Sequence, residues 1–218
     1  MRYYTYISDA KLELLHAQIP RRLLSRLAGE LQLDLKVASV SLKGAPHEIT
    51  RVDRLRLVER YIDENCDVGW LSEPRSWFRG ELGLRMGVVT GAALYTGLDA
   101  GTLVALIGSA GHLVDRQPSG SGGELHHRTS DLPALITLME SRSEESVNDE
   151  FGFYRDREHA DEQAALRQVV YFAQEMRAPR QPVEFLARRL FEGTTRGPDG
   201  KAVHVVVGTP LYVALSDE

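Results

Sequence analysis

Two segments combine an apolar run with a glycine and a hydroxyl residue. Val104-Ala105-Leu106-Ile107 leads into Gly108-Ser109, and Val203-His204-Val205-Val206-Val207 leads into Gly208-Thr209. Each reads as a buried strand whose terminal glycine permits a sharp turn, after which a hydroxyl and an amide can face one another or a ligand. Placed side by side, the two ends would make a rim of Ser109, His112, Thr209 and Tyr212, with Arg79 as partner for an anion. These five residues are the candidate ligand contacts.

The same neighbourhood offers catalytic alternatives. Ser109 stands three residues before His112, so a Ser–His nucleophile in a hydrolase or transferase is one reading. Yet Ile107-Gly108-Ser109-Ala110-Gly111 lacks the first glycine of a Gly-x-Ser-x-Gly nucleophile elbow. Glycines after a strand can cradle a phosphate where a helix begins, but neither a Walker lysine nor a full dinucleotide fingerprint accompanies them, and a tight structural turn is the simpler explanation. His126-His127 raises a metal site, although adjacent histidines on a strand point opposite ways and no third ligand stands at metal-binding spacing. His159 shares no helix face with Asp161. Cys66, near a helix end, reads as a small apolar residue rather than a thiolate nucleophile. No catalytic residue, metal or cofactor is therefore assigned. Arg79 and Glu81 alternate to one face of a strand while Phe78, Gly80 and Leu82 take the other, so Arg79 meets either an anionic partner or an internal carboxylate. Arg188-Arg189 splits across two faces as a solvated pair.

The elements that must position these residues follow from periodicity. Tyr3–Ile7 reads as an opening strand. Leu12, Leu15 and Ile19 mark a helix interrupted by Pro20, and Leu23, Leu24, Leu27 and Leu31 mark a second. Leu33 to Leu42 alternates as a strand. Thr50-Arg51-Val52-Asp53 matches a capping box for a helix ending near Asn65. Strands are expected over Trp77–Leu84, Ala92–Gly97 and Gly101–Ile107, with a turn at Leu98–Gly101. Ser119–Gly123 is a flexible loop, with a mobile lid as the alternative. Ser130-Asp131-Leu132-Pro133 opens a helix, Glu140–Asp149 is an acidic linker, and Arg157–Met176 is a long helix. Pro198-Asp199-Gly200 turns a hairpin of Glu184–Phe191 with Ala202–Val207, and Tyr212–Leu215 closes the fold as a short strand or return.

Composition sets the class. The 218 residues are 43% hydrophobic and 26% charged, enough for a sizeable core without a disulfide, and a lone cysteine allows no intrachain bridge. The formal charge of −5 argues against general nucleic-acid binding. No run approaches 18 apolar residues, and the first residues lack the apolar region of a signal peptide, so no membrane span and a cytoplasmic location are expected.

Several blocks carry a resemblance in order along the chain: Tyr3–Lys11, Phe78–Leu82, Gly108–His112, Glu184–Leu190 and Gly208–Leu215. Together they resemble an uncharacterised actinobacterial family, the SAVMC3_10250-like proteins, described as a domain of unknown function. The resemblance implies one domain and no particular activity. The opening unit through Ile19 is also similar to the starts of bacterial proteins suspected in defence systems. The expectation is a single α+β domain over 1–218, with a mixed or mainly antiparallel sheet packed with several helices and flexible loops near 116–129 and 140–154. Its function is that of a non-enzymatic regulatory or accessory protein binding a partner protein or small ligand, in a defence or signalling setting. A hydrolase or transferase using Ser109 and His112, or a structural subunit of a larger assembly, are the alternatives.

Overall fold

A computed structural model describes residues 2–31, 49–89, 91–114 and 157–216. The expected strand at Leu33–Leu42, the Ser119–Gly123 loop, the helix from Ser130, the Glu140–Asp149 linker, His126-His127 and the loops near 116–129 and 140–154 lie outside the described residues. The α+β class is what the chain adopts: the described residues hold four helices and a seven-stranded mixed sheet. They gather into two compact units, Asp9–Val68 and Met1–Ser8 with Gly69–Glu218.

The smaller unit is helical. Pro20 separates α1 (Asp9–Gln18) from α2 (Arg21–Glu30), standing as the N-cap of α2 with φ −57°, where a missing amide costs nothing. Thr50 caps α3 (Arg51–Asn65): its Oγ1 accepts from the Asp53 amide at 3.1 Å, the first half of the expected capping box. Leu27, Ala28 and Leu57 bury together with Leu23, Leu24, Leu31 and Tyr61 around them. Arg51 grips Asp9 with two guanidinium nitrogens, at 2.6 and 2.8 Å, the forked geometry in which arginine pairs best with a carboxylate.

The larger unit is built on strands β1 (Tyr3–Ile7), β3 (Trp77–Val89), β4 (Ala92–Asp99), β5 (Thr102–Ser109), β6 (Gln181–Arg196) and β7 (Ala202–Leu215), with β2 (Val68–Trp70) at the end of the hydrogen-bonded path. Most neighbours are antiparallel, and β5 with β7 is parallel. The expected turn between β4 and β5 is there, with Ala100 and Gly101 at φ 45° and 85°.

One pairing changes the shape of this sheet. β6 bonds to both β3 and β7, so the path β3–β4–β5–β7–β6 returns to β3 and closes. Alternation then divides the side chains into an inside and an outside. Phe78, Ala93, Tyr95, Val104, Leu106, Val183, Phe185 and Val206 fill the interior. Ala92, Leu94, Leu103, Ala105, Ile107, Val205 and Val207 face outward and are covered by Leu166, Val169 and Val170 of α4 (Arg157–Glu175). Each such large aliphatic residue contributes about 1.5–3 kcal/mol by leaving water.

Of the two Gly-hydroxyl pairs, Gly108-Ser109 closes its strand as expected, with the 3-10 turn Ala110–His112 following, and Gly208-Thr209 does not. Gly208 lies in mid-strand, because β7 runs unbroken from Ala202 to Leu215 and absorbs the Tyr212–Leu215 segment. Gly108 is the last residue but one of β5, and neither glycine has positive φ. Both face the interior, where a Cβ on Gly208 would stand 2.7 Å from the Phe78 ring and one on Gly108 would stand 2.8 Å from Cζ of Tyr6. The requirement is room for an aromatic ring, and a turn has no part in it. Strand lengths also exceed expectation: β3 runs on to Val89, and β6 extends from Gln181 to Arg196.

Candidate functional site

The five expected ligand contacts fall in two places. Arg79 of β3 and Tyr212 of β7 come together across β6, with Arg79 Nη1 donating to the Tyr212 hydroxyl at 3.4 Å. The Arg2 guanidinium lies 5.5 Å above the Tyr212 ring, and Tyr4 meets that ring edge-on at 5.6 Å. Tyr212 and Thr209 are both buried. Arg79 therefore sits over an aromatic cluster of its own sheet rather than on an open rim.

Ser109 and His112 stand elsewhere. The two strands are neighbours, as the rim requires, but Leu106 pairs with Gly208, so Ser109 runs two positions beyond Thr209. Ser109 is exposed at the N-cap of a short 3-10 turn, Ala110–His112, where its Oγ accepts from the Gly111 amide at 3.3 Å. The His112 ring packs edge-on against Tyr6 at 6.0 Å, and Tyr6 against Tyr95 at 6.2 Å. This aromatic file leads from the 3-10 turn into the strand ring.

It ends at a cavity that sequence reasoning missed. β3 pairs with β6 only as far as Leu84 opposite Gln181, and its last residues continue past the start of β6. At that end of the ring the termini of β1, β6 and β7 meet, leaving a mouth of about 430 Å³ lined by Tyr3, Met86, Val88, Leu113 and Leu215, with Thr5, Gln181 and Tyr95 as its polar members. Tyr3 is 56% exposed, Val88 43% and Met86 38%, a concentration of accessible apolar surface at one spot. Tyr95 is 3% exposed, and its hydroxyl has no hydrogen bond of ordinary geometry among the described residues. Burial pushes its pKa up to about 12, with hydrogen bonding to the Thr5 side chain acting in the opposite sense. The hydroxyl is thus neutral near pH 7, a hydrogen-bonding group at the base of an apolar mouth. The signal for this site was present in the parity of Met86 and Val88 with Phe78 and Leu84, but nothing local revealed that β6 would stop short of them.

Other candidate chemistry is weaker in the structure. Burial raises the pKa of Cys66, which disfavours a thiolate. The described residues contain no group of three His, Cys, Asp or Glu able to hold a metal ion. No described helix is long and apolar enough to cross a membrane.

Comparison with known families supplies one assignment. The model of a family of unknown function (DUF7019) matches residues 2–217. The chain belongs to that family. The match spans both compact units, so the family's unit of sequence includes the helical segment as well as the strand ring. No curated protein and no solved structure matches the chain.

Proposed function

We propose that this protein is a non-enzymatic accessory protein that takes a small, neutral, largely apolar molecule into the mouth of its strand ring. The observation that carries the reading is the Tyr95 hydroxyl, buried and without an ordinary hydrogen bond among the described residues, beneath exposed Tyr3, Met86 and Val88. Beyond the Thr5 side chain, this buried hydroxyl has capacity left for a ligand oxygen or nitrogen, whose apolar body would cover the rim. The cavity of about 430 Å³ falls within the roughly 300–1,000 Å³ typical of small-molecule sites, and open ends of strand barrels are common places for them. The non-enzymatic part of the reading is supported by Ser109, whose hydroxyl caps the Gly111 amide. The narrower likeness to SAVMC3_10250-like proteins names no activity and adds none.

Nile red, a neutral dye that brightens in apolar surroundings, tests the proposal. The full chain is expected to bind it saturably. Val88→Glu, at a half-exposed position, is expected to abolish the fluorescence gain without lowering the melting temperature. Tyr95→Phe is expected to weaken binding about fivefold, the loss of roughly one hydrogen bond. Dye binding unchanged in Val88→Glu would sink the assignment.

A further inference from the structure

We infer that a second cavity, on the outer side of the strand ring, binds a small amphipathic carboxylate. Arg85 is the residue before Met86 on β3, and alternation sends it to the opposite face from the mouth. There a cavity of about 340 Å³ is lined by Arg85, Arg180 and Asp199, with Leu103, Val170 and Ala173 among its apolar walls.

The Arg85 guanidinium is only partly satisfied. Its Nη1 donates to the Met176 carbonyl at 2.6 Å, just beyond the end of α4, where a cation is favourable. Its Nε is shut off from water and has no hydrogen-bond partner among the described residues. A buried guanidinium N–H without an acceptor is expensive, and the group carries donors in a fixed fork that matches a carboxylate. Arg180 adds a second positive charge; its stem crosses over Gly83, and it makes no ion pair among the described residues. The one carboxylate of the lining, Asp199, is already matched by Lys201, through the backbone amide at 3.1 Å and Nζ at 3.5 Å. Two arginines on one wall and aliphatic side chains of α4 and β5 on another select a ligand with a charged head and an apolar body. A bare phosphate would leave the apolar wall uncovered, and a neutral alcohol would leave the two guanidinium charges without a counter-ion.

Octanoate, octanol and inorganic phosphate are titrated separately into the full chain, with amide NMR shifts at Gly97 and Gly197 reporting this cavity and those at Tyr3 and Leu113 reporting the mouth. Octanoate is expected to shift the first pair saturably, with octanol and phosphate each at least tenfold weaker there. Arg180→Gln, at an exposed position, is expected to weaken octanoate about tenfold and leave octanol unchanged. Arg85→Lys keeps a cation at the helix end but loses the fork, and is expected to weaken octanoate by a similar factor with the fold retained. Octanoate no tighter than octanol, phosphate as tight as octanoate, or octanoate binding indifferent to Arg180→Gln would each overturn the proposal. Failure at the mouth leaves these shifts unaffected, so the two proposals fail separately.

Discussion

The phenol of Tyr6 occupies the space that a side chain on Gly108 would need. A Cβ built there would lie 2.8 Å from Tyr6 Cζ, closer than real Cβ contacts come. The relationship repeats around the ring, with Phe78 over Gly208 at 2.7 Å and Phe185 over Gly80 at 2.6 Å. Phe78 and Phe185 themselves meet edge-on at 5.5 Å. A closed ring of five strands has a narrow interior, and glycines opposite large rings let it fill without strain.

Gly108→Ala is accordingly expected to destabilise the protein by about 1–3 kcal/mol, the usual range for overpacking a core. Urea denaturation of Gly108→Ala, Tyr6→Phe and the double variant is the check. Removing the Tyr6 hydroxyl takes away the nearest obstacle, so the double variant should regain part of the loss and show a coupling energy. Strict additivity would contradict the contact.

Tyr95 should ionise later than an ordinary tyrosine. With its pKa pushed up to about 12 by burial, against an ordinary value of 10, the folded state holds this proton longer than the unfolded chain does. The associated stability is complete below pH 10 and is lost as pH rises toward about 12. Tyrosinate absorbance in the ultraviolet should show a late step that Tyr95→Phe removes. A Tyr95→Phe titration identical to the parent's would contradict the assignment.

His16 makes the opposite case on the acid side. Burial, then the charge of Arg54, lowers its pKa from 6.5, and its Nε2 is buried without a hydrogen-bond partner among the described residues. Below pH 6.5 the unfolded chain takes up a proton that the folded chain resists, so stability falls as pH falls through this window. Melting temperature measured from pH 7.5 to 5.5 should decline, and His16→Gln should flatten that decline. An equally steep decline in His16→Gln would place the acid sensitivity elsewhere.

Local chemistry was legible in the sequence wherever neighbours along the chain decided the outcome. Thr50 and Asp53 cap α3 because a capping contact spans only three residues. The β4–β5 and β6–β7 hairpins follow from Gly101 and Gly200, whose positive φ reflects what their turns demand. Alternation correctly separated Arg79 from Phe78, and the 3.6-residue period of Ala165, Val169, Phe172 and Met176 placed α4 on the core.

Closure of the ring was decided by tertiary structure, because it depends on β6 pairing with β3 about a hundred residues earlier, a choice no local pattern encodes. Within the closed ring, Gly208 is a mid-strand space for Phe78 rather than the supposed turn. Strand pairing also decided the candidate sites. The two-position offset of β5 against β7 moved Ser109 away from Thr209, and the early end of β6 opened a mouth beside Met86. Residue type along the chain determined which face each side chain takes, through the fixed two-residue period of a strand. Which faces meet, and where the strand ring stays open, was determined by register between distant strands, where one residue of slip exchanges inside for outside.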